Sequence, residues 1–423
     1  MEEDIPLLHQ ADNIMKIAYI LKSFPEISQT FIIVQLTELI ESGHDVTIFA
    51  QNRGNDNNTI DLVKKHRMTE KCHFCIKIPK NKNRRRIKAL IFSVIKLMRH
   101  PLKTVAALRI LFSQKFDYEN LFFFLSFKPE KFDILQCHFG PAGNIGLFTK
   151  ETGLFEGKLV TTFHGYDVSS YIKLKNESVY DKLFRTGDAF TYNSEATKDK
   201  LIALGCNEDK MFKLPMGIPV EDFKFKRRNI NPDSQINILS VGRLVEMKGR
   251  KYAIEAISKL VNDYPNIKYY IVGNGPCLDT LKAQVNRLNL SSIIEFTGWV
   301  SSKKLMELYD KCHIFLHPSI TASDGNQEGQ GMVLIEAQAQ GIPVIATRHN
   351  AFTETIIEDV TGFLVEEKNA MQISEKIKLI IEKPDIPQQM VFEARRHLED
   401  LYCSKILNVI LLSLYTRLID GKN

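Results

Sequence analysis

Short apolar runs alternate with amphipathic stretches along most of the chain. In the first half such runs occupy residues 15–20, 44–49, 132–139, 158–164, 189–193 and 211–214. Their length and β-branched content predict buried strands. A helix is predicted from Ser28, a capping residue, to Gly43, which tolerates a helix end, and a second from Ser194 to Gly205. Between 215 and 235 the apolar positions thin out. Lys226-Arg227-Arg228 and Asn231-Pro232-Asp233 mark a linker there. Beyond it, strands are predicted at 236–241, 267–272, 293–296, 314–316, 343–346 and 363–365, with helical stretches between them and helices near 387–400 and 404–420. Strands alternating with helices imply parallel sheets covered on both faces. The expectation is two doubly wound α/β domains in series, residues 1–215 and 216–395, with a last helical segment, 396–423, returning to the first.

A length of 423 residues suits this division, and 44% hydrophobic with 25% charged residues excludes a mainly disordered, collagen-like or coiled-coil chain. No run approaches the roughly 18 apolar residues that span a bilayer. The first ten residues are acidic, without the apolar core of a secretory signal. Seven scattered cysteines, an odd number, suggest reduced thiols in the cytoplasm; Cys72 and Cys75 lack the second pair of a zinc site. A net charge of +6 is too weak to argue for nucleic acid. That charge is, however, concentrated. Residues 77–115 hold twelve Lys or Arg and no Asp or Glu. Apolar residues at 87, 90, 91, 94, 95 and 98 trace one helix stripe beside the cationic face. Two readings remain open: a helix lying on an anionic membrane surface, on the inner face of the cell membrane, or an ordinary amphipathic helix packed on the first domain.

In open α/β sheets ligands bind beyond the carboxyl ends of strands. After strand 236–241 comes Gly242-Arg243-Leu244-Val245-Glu246-Met247-Lys248-Gly249, with two cations five apart that suit a diphosphate. After 267–272 comes Gly273-Asn274-Gly275-Pro276, where glycines permit close backbone approach, although the dinucleotide fingerprint is absent. Glu328-Gly329-Gln330-Gly331 then opens a helix at Met332, whose free N–H groups make an anion site. Glu336 follows about two turns in, so both carboxylates can face one side of a cleft. An anionic ligand that also carries hydroxyls, such as a sugar nucleotide, satisfies both features. In the first half His164 ends a strand within Thr162-Phe163-His164-Gly165-Tyr166-Asp167. No D-x-D occurs, so a metal-clamped diphosphate is not expected.

The order of these motifs, with Gly298-Trp299-Val300 and the run Glu336-Ala337 to Thr347, resembles the retaining glycosyltransferases of family 4, which have the GT-B fold of two Rossmann-like domains facing a cleft. Asp324 to Gly329 with Thr347-Arg348-His349-Asn350 is similar to the colanic-acid and exopolysaccharide subgroup. The resemblance implies that Arg243 and Lys248 hold the donor diphosphate, with Gly242, Gly273 and Gly275 alongside. It places Glu336 on ribose hydroxyls and Glu328 on those of the donor sugar. Gly329 and the amides near Gln330, Gly331 and Met332 would meet phosphate or sugar oxygens, and Trp299 and Val300 the base. It implies His164 beside the reacting sugar, and Ser28, Gln29, Thr30, His138 and Asp167 on the acceptor side. Gln29 replaces the usual Glu and removes a charge there. Glu354 lacks the family's flanking glycines, which leaves it as a helix cap instead. The implied activity is hexose transfer from a nucleotide sugar, with uracil as the base, to a lipid-linked or oligosaccharide acceptor, without metal or other cofactor. The rivals are a GT-B epimerase and a catalytically silent sugar-nucleotide-binding subunit.

Overall fold

The computed structural model of the chain describes residues 13–26, 29–54, 61–113 and 117–421. Seven parallel strands build the first sheet: β1 (Lys16–Phe24), β2 (Asp45–Arg53), β3 (Cys72–Phe74), β4 (Glu130–His138), β5 (Phe155–Phe163), β6 (Ala189–Tyr192) and β7 (Met211–Lys213), in the order β3-β2-β1-β4-β5-β6-β7. Six more build the second: β8 (Ile236–Val241), β9 (Ile267–Val272), β10 (Ile294–Gly298), β11 (Ile314–His317), β12 (Val344–Thr347) and β13 (Phe363–Val365), in the order β10-β9-β8-β11-β12-β13. Helices cover both faces, which is why the central strands are buried along nearly their whole length: Ile17, Ala18, Tyr19 and Ile20 of β1 are all 0% exposed. Each chain half starts at a sheet centre and winds outward. Ile17 pairs with both Val46 and Ile134, and Ile238 with both Tyr269 and Ile314. The winding therefore reverses between β1 and β4 and between β8 and β11, and crevices open beyond those strand ends.

All twelve predicted strands are present, most within one or two residues of the expected bounds. β3 went unpredicted because three residues carry no readable period. The helix α1 (Thr30–Glu41) starts after Gln29, whose side chain makes no capping bond; Ser28, the predicted cap, lies outside the described residues. Burial pushes the thiols of Cys72 and Cys75 up to about 12, which leaves both unreactive.

The basic stretch forms α2 (Lys82–Arg99), capped by Asn81, and α3 (Pro101–Ser113). The amphipathicity of α2 is turned inside out. Ala89 and Lys96 are its buried residues, and the Lys96 ammonium donates to the Phe127 carbonyl. Its apolar stripe faces out: Leu90 is 67% and Met98 73% exposed. The packed alternative for this helix therefore fails for the stripe itself.

The helix α4 (Met332–Ala339) follows β11. The last helix, α5 (Ser404–Asp420), lies on the first sheet, where Leu407, Leu411, Leu414 and Tyr415 join Ile17, Tyr19, Leu36 and Leu39 in one core. The predicted linker is better anchored than its polarity suggests. Arg228 is buried and donates to the carbonyls of Asp310 at 2.9 Å, Tyr309 at 3.3 Å and Gln340 at 3.2 Å.

Candidate active site

The crevice beyond β8 and β11 is built around one carboxylate. Glu328 is 9% exposed. One of its oxygens pairs with the Lys248 ammonium. The other accepts from His317 Nε2 at 2.8 Å and Ser319 Oγ at 2.6 Å. Burial alone would push this carboxyl up, but His317 and Lys248 outweigh it and hold Glu328 well below the usual carboxylate range. His317 is itself lowered to about 4, chiefly by burial, so it donates as a neutral ring and Lys248 supplies the charge. The backbone of Glu328 is pinned as well: its N–H donates to His349 Nε2 at 3.1 Å, and its carbonyl accepts from Asn350 Nδ2 at 2.6 Å.

Two further cations stand close by. Arg250, 2% exposed, bonds the Val241 carbonyl at 2.8 Å and the Leu316 carbonyl at 3.4 Å, tying the ends of β8 and β11 together. Arg243 is exposed and lies near enough to Lys248 to disfavour its charge, and its guanidinium makes no hydrogen bond or ion pair among the described residues. At the start of α4, Gly331 takes φ 71°, a left-handed value that suits glycine. The N–H groups of Gln330, Gly331 and Met332 donate to no other described residue. Glu336 is half-buried and accepts from the Tyr309 hydroxyl at 3.1 Å. Burial of its carboxyl raises it to about 7, against the pull of the Tyr309 bond.

Several of the residues expected to meet the donor also have structural duties. A side chain at Gly273 would collide with the Gly242 carbonyl, and one at Gly275 with that of Leu244. These glycines let neighbouring strand-end loops pack on each other. The Gln330 side chain is spent on the linker, accepting from Met216 N–H at 2.8 Å and donating to its carbonyl at 2.7 Å; only its N–H remains free. Trp299 sits beyond the edge strand β10 and is 60% exposed, while Val300 packs into the core beneath.

In the facing crevice, beyond β4 and β5, His164 is 7% and His138 2% exposed. Their ring planes lie within 15° of each other and meet edge to edge, with His138 Nδ1 3.0 Å from His164 Nε2. Burial lowers His138 to about 3 and His164 well below its ordinary value, where His138 adds to the effect. His138 was expected to meet an acceptor, but both its nitrogens are engaged internally, Nε2 with Gln35 Oε1 at 2.8 Å. Asp167, also expected on the acceptor side, is fully buried. It accepts from the N–H groups of His164, Gly165 and Gly140, each at 3.0 Å, and so ties two crevice loops together. Burial lifts its carboxyl to about 6 against those bonds. Gln29 and Thr30 open α1 beyond β1, and it is the next residue, Phe31, whose ring comes to 4.7 Å from His164.

The two crevices face each other. The His164 carbonyl lies against Gly329, Ser170 bonds Asn326, and Lys200 Nζ donates to Gln327 Oε1 at 3.0 Å. Glu354 spans the halves: it accepts at 2.8 Å from Glu195 N–H, the first of a helix in the other half, rather than from the helix after it, and at 2.7 Å from Lys213 Nζ. Residue-by-residue reading missed His317, Ser319, Arg250 and Gln35. His317 and Ser319 carried a signal, a histidine at a strand end opening a polar loop; Arg250 and Gln35 sit inside helical stretches and carried none.

Comparison with known proteins agrees with this geometry. Residues 29–222 match the model of Glycosyltransferase Family 4, and residues 221–397 that of Glycosyl transferases group 1. WcaL of Escherichia coli K12, named for colanic acid biosynthesis, is 30% identical over 411 residues, covering 95% of this chain and 99% of WcaL. The amylovoran biosynthesis glycosyltransferase AmsK of Erwinia amylovora is 30% identical over 367 residues, or 85% of this chain and 89% of AmsK. The crystal structure of Anabaena Alr3699/HepE with UDP and glucose superposes with a TM-score of 0.70 over 95% of this chain and 99% of that one, at 16% identity, a likeness of fold. With two parallel-sheet halves facing a cleft in the GT-B arrangement and a relative of this identity matched along its whole length, the chain belongs to the family 4, group 1 glycosyltransferases.

Proposed function

We propose that the chain moves a hexose from a nucleotide sugar, with uracil as the base, onto a lipid-linked glycan in exopolysaccharide, capsule or O-antigen synthesis, with retention at the anomeric carbon and without a metal. The observation that carries this reading is the charge in the donor crevice. Arg243, Lys248 and Arg250 cluster beside Glu328, the one carboxylate among the described residues that forms an ion pair with any of them, while burial keeps Glu336 largely uncharged below about pH 7, so cations outnumber ionised carboxylates. With the free N–H groups at the α4 start, they suit a diphosphate. The names of WcaL and AmsK support the pathway, and the UDP bound to HepE supports the base.

On this reading the bond between the anomeric carbon and the diphosphate oxygen breaks. Negative charge grows on the leaving diphosphate, where Arg243, Lys248 and the N–H groups of 330–332 stabilise it more than they do the bound donor. Glu336 accepts ribose hydroxyls, and Glu328 accepts sugar hydroxyls on its remaining lone pairs. Glu328 is already held by Lys248, His317 and Ser319, which disfavours it as a covalent nucleophile. The acceptor hydroxyl therefore attacks from the leaving-group face and passes its proton to a donor phosphate oxygen. The outward stripe of α2, flanked by Arg84, Arg86 and Arg99, supports docking on an anionic bilayer, where a lipid-linked acceptor would lie.

The test is a melting series with UDP-, GDP- and ADP-sugars in a chelator. The UDP series should raise the midpoint, with about 2.7 kcal/mol of stabilisation at a hundredfold excess over Kd. Arg243→Ala should leave the ligand-free midpoint in place and weaken binding at least about tenfold. No shift with any series would sink the donor-crevice reading.

A further inference from the structure

The imidazoles of His138 and His164 belong to a longer chain of hydrogen bonds. Gln35 Oε1, on α1, lies 2.8 Å from His138 Nε2 and also accepts from the Tyr19 hydroxyl at 2.7 Å. Burial keeps both rings neutral, so each carries one ring proton. A carbonyl oxygen can only accept. His138 therefore holds its proton on Nε2, and its Nδ1 is an acceptor. His164 must then donate from Nε2 across the 3.0 Å contact. What remains is His164 Nδ1, a bare lone pair that is buried and has no partner among the described residues. The Tyr19 hydroxyl, 0% exposed, is a second donor to Gln35 Oε1 and also meets the Tyr415 hydroxyl. A pocket lined by Phe31, Gln35, His138, His164, Leu214 and Met216 meets these groups.

We propose that Gln35 and His138 form a positioning relay that fixes His164 as its Nε2–H tautomer, so that Nδ1 accepts a hydrogen bond from a substrate hydroxyl. Within this proposal His164 is the group that touches substrate, and Gln35 and His138 act through it. The relay deepens the transferase reading: the hydroxyl contact rests on that reading, whereas the tautomer does not. A reversed tautomer would present an N–H, and the hydroxyl would have to turn its oxygen to it.

Nitrogen-15 spectra of the histidine side chains in the full chain near neutral pH read this directly. Both His138 and His164 should show the Nε2–H tautomer. Gln35→Met removes the acceptor at similar volume and should let both rings exchange between tautomers, with an unchanged circular dichroism spectrum. Tyr19→Phe leaves Gln35 Oε1 in place and should keep the parent tautomers. A proton on His164 Nδ1 in the parent protein, or a Gln35→Met spectrum like the parent's, would overturn the relay. If Gln35→Met fails to fold, the parent spectrum still decides. On saturation with UDP-glucose the Nδ1 signal should move as its lone pair is taken up. An unmoved signal with that nucleotide sugar bound overturns the hydroxyl contact, whereas absence of binding counts against the donor assignment and leaves the tautomer standing.

Discussion

Glu336 is a carboxyl poised to ionise near neutrality. Its folded value of about 7 stands above the ordinary 4.5 because burial disfavours the charged form. The folded state thus holds more protons than the unfolded one between those values. The stability this group contributes is fully present below about 4.5 and is lost as pH rises through about 7. Ligand binding works in the opposite direction. Ribose hydroxyls donating to the carboxylate would favour its charged form, so UDP-sugar binding just below neutrality should release protons and tighten as pH rises. Calorimetry in two buffers of different ionisation heat measures the release, and Glu336→Gln should abolish it. An equal release in that variant would remove Glu336 from the ribose. The two helical turns expected between Glu328 and Glu336 are not formed: the helix begins only at Met332, so the loop 328–331 sets where the two carboxyls stand. That Glu328 is held low by Lys248 and His317 while Glu336 rides high was not legible, since burial and partners come from other strands and loops.

At the scale of elements, α2 carries the largest departure from pattern. A stripe at 87, 90, 91, 94, 95 and 98 reads as the face of a helix that meets a core. Here the opposite face meets the protein through Ala89 and Lys96, whose ammonium binds the Phe127 carbonyl and lies 5.0 Å from the Phe124 ring. Burial lowers that lysine to about 8. No helix among the described residues is long and apolar enough to cross a membrane, so contact by this face would be peripheral. Leu90→Glu with Met98→Glu should abolish co-sedimentation with vesicles containing anionic lipid. Both positions face outward, so the midpoint should stay within the roughly 0.5 kcal/mol typical of surface changes. Vesicle binding that survives this double change would leave the stripe without its proposed partner. Helix α4, by contrast, was readable from sequence alone: Gly331 before it and Gly341 after it bound a short apolar run.

Over the whole molecule, the last helix joins the two ends of the chain. After the second sheet is complete, α5 crosses to the first, where Ser404 Oγ donates to Glu38, Asn408 Nδ2 donates to Ser42 Oγ at 3.0 Å and Tyr415 donates to Gln136 at 2.8 Å. The first half therefore depends on the final seventeen-residue helix of the described chain. Leu411, 1% exposed, should cost about 2–5 kcal/mol when changed to Ala. Unfolding followed by a probe in each half should show the loss in the half holding β1–β7. An equal loss confined to the half holding β8–β13 would contradict this division of the core.

The order of strands and helices, the two-sheet architecture and most of the donor crevice were determined by local information. Buried parallel strands must be continuous apolar runs, and helix starts that bind anions need glycines and free N–H groups. Lys248, Glu328 and His164 could be named because each stands near such an end, and Glu336 because it follows one inside the short helix. The tertiary structure alone decided which charges neutralise one another, which face of α2 meets solvent, and how Gln35 and His138 orient His164. Those outcomes depend on contacts between residues far apart in the chain, which no local spacing encodes.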